Sequence, residues 1–232
     1  MLLTALAMIL VGCGIPQYDY IAAPIMGSIT ADPAVLHFTH DTYNDTEIFL
    51  GYEIYYKFYD PLIEASQLAS AVSADYSAVA AASPTSINNV LNSRGYYRMD
   101  GSTIELKPLL RIDAAEKGSP FEVTVSFAQY PVDSNLFATW NAGIPREVTL
   151  FRNQTLLGAT GEESFASTEI DVTPTPDEDL PDTVTPGYLG DVLRMGVAVL
   201  SYGISLETYA QIYSTAAMIS SAEQLLVIRI DY

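Results

Sequence analysis

The sequence predicts a mainly β fold, a β-sandwich carrying a helical insertion. Three observations predict it. Residues Glu47 to Tyr59 alternate with period two, placing Tyr52, Ile54, Tyr56 and Phe58 on one face and Glu53, Tyr55, Lys57 and Tyr59 on the other. Many short strand-like runs separated by turn residues flank this stretch on both sides. Between them, at about 61–95, the pattern shifts to alanine-rich sequence with a narrow stripe of large apolar residues, which favours helix.

The elements follow in order. Pro24 to Thr30 and Val35 to Thr39 read as two short strands around Ala31-Asp32-Pro33. The central strand comes next. Asn44-Asp45 precede it and Asp60-Pro61 follow it, so turn chemistry bounds both ends. Leu62, Leu68, Val72, Tyr76 and Val79 lie among alanines, and Pro61 to Ala82 is predicted helical. Ser83-Pro84 predicts the start of a second helix, with Ile87, Val90 and Leu91 as its stripe and Gly95 as its stop. Tyr96 to Met99 and Ser102 to Leu106 flank Asp100-Gly101, a two-residue hairpin signal. Phe121 to Ala128, Glu147 to Arg152, Leu193 to Tyr202 and Leu225 to Asp231 read as further strands. Ser205 to Ile219 fits helical spacing and a strand start equally, and both remain open. Thr173 to Pro186, rich in proline and acid, is an expected exposed loop.

A chain of 232 residues can bury one sizeable core. Twenty-eight acidic residues against ten basic ones give a formal charge of −18. Binding to nucleic acid needs Lys and Arg to neutralise phosphates, so no nucleic-acid partner is expected. An anionic membrane surface repels such a domain for the same reason.

The start of the chain is of another kind. Leu2 to Val11 is apolar but too short to span a bilayer as a mature helix. It ends in Leu10-Val11-Gly12-Cys13, the layout of a secretory signal with small residues at its cleavage point. Cys13 is the only cysteine, so no disulfide forms within the chain. These four residues resemble the lipobox of bacterial lipoprotein precursors, although no Lys or Arg precedes the apolar run. The resemblance implies cleavage before Cys13, diacylation of its sulfur and acylation of the new amino terminus. One acyl chain holds a protein at roughly 10⁴ M⁻¹, and two or more hold it stably. The expected organisation is a signal peptide over 1–12, a lipidated cysteine and tether over 13–24, and one domain over 25–232.

Leu50 to Lys57 resembles the third strand of fibronectin type III domains. Val197 to Gly203, then Ile212-Tyr213-Ser214, is similar to that family's sixth strand, the following loop and the start of the seventh. The likeness covers about 25–60 and 192–219, which leaves 61–190 as an elaboration. Phe38 sits near the place of the family's usual tryptophan. The resemblance implies a fibronectin type III or Ig-like sandwich. Lipobox and module together are similar to spirochaete lipoproteins without an assigned biochemical role.

Little catalytic chemistry is legible. His37 and His40, three apart on a strand, point to opposite faces and read as structural. No second cysteine completes a thiolate zinc site, and no metal site is expected. Neither a Gly-x-Ser-x-Gly elbow nor a glycine-rich phosphate cradle is present, so no catalytic residue and no cofactor are assigned. Asp177 to Asp182 lacks the spacing and the glycine of an EF-hand and reads as a solvated loop, with calcium left open. Sixteen tyrosines are the feature most suggestive of binding. Tyr18, Tyr20, Tyr43, Tyr55, Tyr59, Tyr96 and Tyr97 are expected to be partly exposed, with Tyr55, Tyr59, Tyr96 and Tyr97 as candidate partner-binding residues. The expected function is a non-enzymatic envelope lipoprotein, anchored to a membrane through Cys13, whose domain binds a protein or glycan. A structural or assembly component of the envelope is the first alternative, and a carboxylate-dependent hydrolase the second.

Overall fold

The computed structural model describes residues 19–31, 34–101, 107–127, 136–153, 177–181 and 192–229, with Leu136 described by its backbone alone. Leu10 to Cys13, read as resembling a lipobox, and Tyr18 lie outside the described residues.

Two antiparallel sheets form a sandwich. The first is built from β1 (Ile25–Thr30), β2 (Val35–Thr39), β6 (Glu122–Ser126), β7 (Leu136–Asn141) and β8 (Pro145–Leu150), hydrogen-bonded in the order β1-β2-β6-β7-β8. The second is centred on β3 (Phe49–Tyr59) and β9 (Val192–Ile204), which pair along nearly their whole length. Short strands complete it. β10 (Gln211–Tyr213), β11 (Ala217–Met218) and β12 (Leu226–Arg229) succeed one another along the outer edge of β9. β4 (Tyr97–Arg98) and β5 (Leu110–Arg111) do the same along β3.

The alternation in β3 works as expected on its inner face. Tyr52, Ile54, Tyr56 and Phe58 join the core with Leu36, Phe38, Val123 and Val125 of the first sheet. Aromatic and β-branched residues fill a pleated surface well, and cross-strand pairs such as Ile54–Val199 and Tyr56–Val197 add to that packing. Phe38 is fully buried edge-on to Tyr52, with ring centroids 5.0 Å apart. Gly51 sits at a bulge in the β3–β9 register with φ +154°. A Cβ there would lie 1.9 Å from the Leu110 carbonyl oxygen, so only glycine lets β5 close on this edge.

The outer face of β3 is also buried, which corrects the half-buried strand expected from its polar alternates. Two helices cover it, α1 (Ala65–Ala80) and α2 (Ile87–Ser93). α1 buries Leu68, Val72, Asp75 and Val79 at helical spacing. Val79, Ile87 and Leu91 form a second core with Tyr55, Ala198, Leu200 and Tyr202. The molecule is thus mainly β, a sandwich with a helical insertion, as the sequence predicts.

Other readings shift. α1 begins at Ala65, and Leu62 is 66% exposed outside the stripe. α2 begins after Ser86, because Ser83, Thr85 and Ser86 first tie their hydroxyls into a turn. Gly95, at φ +76°, ends it as expected. Asp100 and Gly101 lack the positive φ of a hairpin turn, and Asp100 instead bridges Phe151 beyond β8. The partner strand expected over 102–106 lies outside the described residues. Ser205 to Ile219 holds β10 and β11 and no helix. β7 was not anticipated, although Leu136-Phe-Ala-Thr-Trp-Asn141 before Gly143 carries a strand and turn pattern.

Candidate functional site

Strand directions gather five connections at one end of the sandwich. β1, β3, β6, β8 and β10 begin there, while β2, β7 and β9 end there, as the pairs Ile25–Thr39, Val123–Trp140, Asn141–Pro145, Phe49–Gly203 and Gln211–Ile204 require. The end therefore carries residues 19–24, 40–48, 112–121, 142–144 and 205–210.

Hydrogen bonds lock these segments together. Buried Asn44 accepts from the Ala22 N–H at 2.7 Å and donates to the Ala22 carbonyl at 2.9 Å. Its amide lies 3.4 Å from the Ser201 hydroxyl, which itself donates to Ala22. The Ile204 N–H donates to the Ile48 carbonyl at 3.0 Å. Lys117 is 7% exposed, and its ammonium donates to the carbonyls of Thr46 and Phe49. Burial pushes its pKa down. His40 stacks on Phe121 at 4.7 Å, donates through Nε2 to the Lys117 carbonyl and accepts the Tyr52 hydroxyl at Nδ1. Burial lowers its pKa, so the ring is held neutral.

This frame presents apolar side chains to solvent. Tyr20, Ile25, Tyr43, Ile144, Leu206 and Tyr209 are all more than half exposed here, against Leu62 alone elsewhere among the described large apolar residues, with Tyr76 less than half exposed. Tyr43, 83% exposed, sits on a turn whose backbone is held by its N–H donating to the Asp41 carboxylate at 2.9 Å. Tyr209, 81% exposed, takes φ +57°, and its N–H donates to the Ser205 carbonyl. A tyrosine in the left-handed region costs about 1–3 kcal/mol and persists only where its surroundings impose it. The same five segments hold seven carboxylates, from Asp19, Asp41, Asp45, Glu47, Asp113, Glu116 and Glu207, and one buried lysine, Lys117.

The candidate tyrosines sort by burial. Tyr20 and Tyr43 are exposed as expected. The expectation of exposure fails for Tyr55, Tyr59 and Tyr96, each at most 4% exposed, because the helical insertion covers them. Tyr55 donates to Asn88 of α2 at 3.0 Å. Tyr59 donates to Asp75 of α1 at 2.9 Å and meets the Tyr96 hydroxyl at 3.0 Å. Tyr97 is half-buried in β4, its ring tilted on Tyr56. Tyr209 was overlooked because its segment read as helix or strand.

Three buried charge clusters are spent inside the fold. Asp75 holds Lys57 at 2.6 Å, Arg98 holds Glu53 and Asp100, and Arg152 holds Asp177 and Asp179. The last corrects the reading of Asp177 to Asp182 as a solvated loop, for Asp179 is 4% exposed and receives the Tyr56 hydroxyl at 2.6 Å. Asp182 lies outside the described residues. Among the described residues, no group of three or more His, Cys, Asp or Glu is placed to hold a metal ion. Within those residues, no helix is long and apolar enough to cross a membrane.

Compared with known protein families, with characterised proteins and with solved structures, the chain gives no match.

Proposed function

We propose that this protein is a lipid-anchored lipoprotein of the cell envelope whose sandwich grips a basic protein partner with its loop end. One observation carries the reading. Six of the eight exposed large apolar residues among those described share that end with a marked excess of carboxylates. Rigid tyrosines give large contact area at low entropic cost. Carboxylates around them favour Lys and Arg on the partner and disfavour anionic surfaces. The strand order supports the likeness to fibronectin-type sandwiches, since β1-β2-β6 and β3-β9-β10 take the places of strands A-B-E and C-F-G.

The lipobox at Leu10 to Cys13 supports the anchor. Cys13 and Tyr20 are seven residues apart, which spans at most about 24 Å. The loop end therefore stays close to the membrane that holds Cys13, and the partner belongs at that membrane.

A photo-crosslinking residue at position 43 or 209 tests the reading in intact envelopes. Both positions are expected to capture the same protein through a basic surface, while position 70 on exposed α1 captures none. Equal capture from all three positions would reject a partner at the loop end.

A further inference from the structure

The loop end is built around one titratable ring. His40 follows β2, and its N–H donates to the Phe121 carbonyl at 2.9 Å. The partner of Nε2 is the Lys117 carbonyl at 2.8 Å, which can only accept, so Nε2 carries the ring hydrogen. Nδ1 is then an acceptor, and the Tyr52 hydroxyl at 2.5 Å is its donor.

This polarity leaves no place for a second ring proton. An N–H at Nδ1 meets the Tyr52 O–H head on, and the hydroxyl must turn its hydrogen elsewhere. Tyr52 is fully buried, and His40 Nδ1 is the only acceptor of its hydroxyl among the described residues. The Asn44 amide and the Asp41 N–H act on the same oxygen as donors. A buried donor without an acceptor is costly. Around the ring, burial opposes charge most strongly, the Lys117 carbonyl, Asp41 and Asp45 favour it, and the Lys117 ammonium opposes it. From β3 the ring meets Tyr52 and Phe49.

Charging the ring therefore breaks its bond to Tyr52 and calls water to it. The segment at 112–121 covers the ring with Phe121 and Lys117 and has to move. Lys117 moves with it, and its ammonium holds the carbonyls of Thr46 and Phe49. The segment at 40–48 carries Tyr43, and through Asn44 it pins Ala22, two residues from Tyr20.

We infer that His40 makes the loop end an acid-released site, in which uptake of one proton opens 40–48 and 112–121 and withdraws Tyr20 and Tyr43 from the partner. The release rests on the loop end gripping a partner, whereas the opening does not. In the open state the ring is solvated and titrates near the ordinary value of about 6.5. One proton then favours opening by about tenfold per pH unit below that value, until the closed state also takes it up. Ordinary carboxylates change charge about two units lower.

Amide hydrogen exchange of the full chain carrying Cys13→Ser, corrected for intrinsic exchange, reads the opening without a partner. The N–H groups of His40 and Asn44 are followed from about pH 7.5 to about pH 5.5. Their opening constant is expected to stay level above about pH 6.5 and to rise about tenfold by pH 5.5, while amides of the β3–β9 pair stay level. His40→Gln keeps a donor and an acceptor and cannot be charged, so the slope should vanish. His37→Gln, on the strand ring paired with Glu122, should keep it. Nitrogen NMR of the parent ring gives a second answer that needs no variant, and a neutral ring with its hydrogen on Nδ1 overturns the inference. So does a level opening constant, or a His40→Gln slope equal to that of the parent. Capture by a crosslinker at position 43 should fall over the same pH range. Undiminished capture from an opened loop end overturns the release. Opening that follows pH, with nothing captured at any pH, upholds the proton-driven opening and rejects the partner.

Discussion

His40 shows how one buried side chain ties the loop end to the core. Its ring bridges the Tyr52 hydroxyl and the Lys117 carbonyl and is 2% exposed. Desolvation is the largest cause of its lowered pKa, so the folded protein binds this proton less readily than the unfolded chain. The contribution to stability is full above the unfolded value near 6.5 and is lost as pH falls through the lower folded value. In a heteronuclear NMR titration the His40 ring is expected to stay neutral below pH 6.5. Protonation at or above that pH would contradict the burial argument. Asp75 is a second such residue. It accepts from Lys57 and from the Tyr59 hydroxyl while only 4% exposed. Asp75→Ala strands a cation and a phenol, and should cost about 3 kcal/mol, the lower end for a broken buried pair because Lys57 keeps some solvent contact. Asp75→Asn retains an acceptor and should cost less. Equal urea midpoints for both variants and the parent would place the pair among the weak surface kind.

At the scale of elements, the insertion is the part most dependent on its neighbours. Its stripe of large apolar residues over 61–95 is too small to make a core alone, since chains below about 40 residues rarely fold unaided. Leu68 and Val72 enter the main core, while Val79, Ile87 and Leu91 close over Tyr55 and Tyr202. Leu68→Ala should therefore lower the stability of the whole domain by about 2–5 kcal/mol, read from the urea midpoint. A peptide of residues 61–95 should be largely unfolded by circular dichroism. Cooperative melting of that peptide would make the insertion a folding unit of its own. The strands were legible where one face repeats with period two, as in β2, β3 and β6. β4 was legible within Tyr96 to Met99, and β10 only as one of two open readings, whereas β5 and β11 were not, because two residues carry no periodic signal and exist only by pairing with β3 or β9.

For the whole molecule, the charge of −18 is distributed unevenly. The described segments of the loop end hold seven carboxylates and one buried lysine, Lys117. Removal of the proposed anchor separates location from folding. Cys13→Ser should move the protein from the membrane to the soluble fraction with no change in thermal midpoint. Labelled fatty acid on that variant at the parent level would reject anchoring through Cys13. Tyr43→Ala with Tyr209→Ala removes exposed rings only, so stability should change by less than about 0.5 kcal/mol per position. The same pair should abolish capture by a crosslinker at position 206. Undiminished capture would show that the rings do not hold the partner.

The sequence by itself determined the β class, the helical insertion, the central strand and the apolar stripe, because these rest on periodicity and composition within a short window. The likeness of Leu10 to Cys13 to a lipobox is legible in the same local way. Which tyrosines face solvent was decided only in three dimensions. Tyr55 and Tyr43 look alike in sequence, yet one is roofed by α2 and the other stands 83% exposed on a turn capped by Asp41. The gathering of Tyr20, Tyr43 and Tyr209 at one end follows from strand direction, over a separation of nearly the whole chain. Nearness across such a separation is set by strand pairing in space, which no short window of sequence carries.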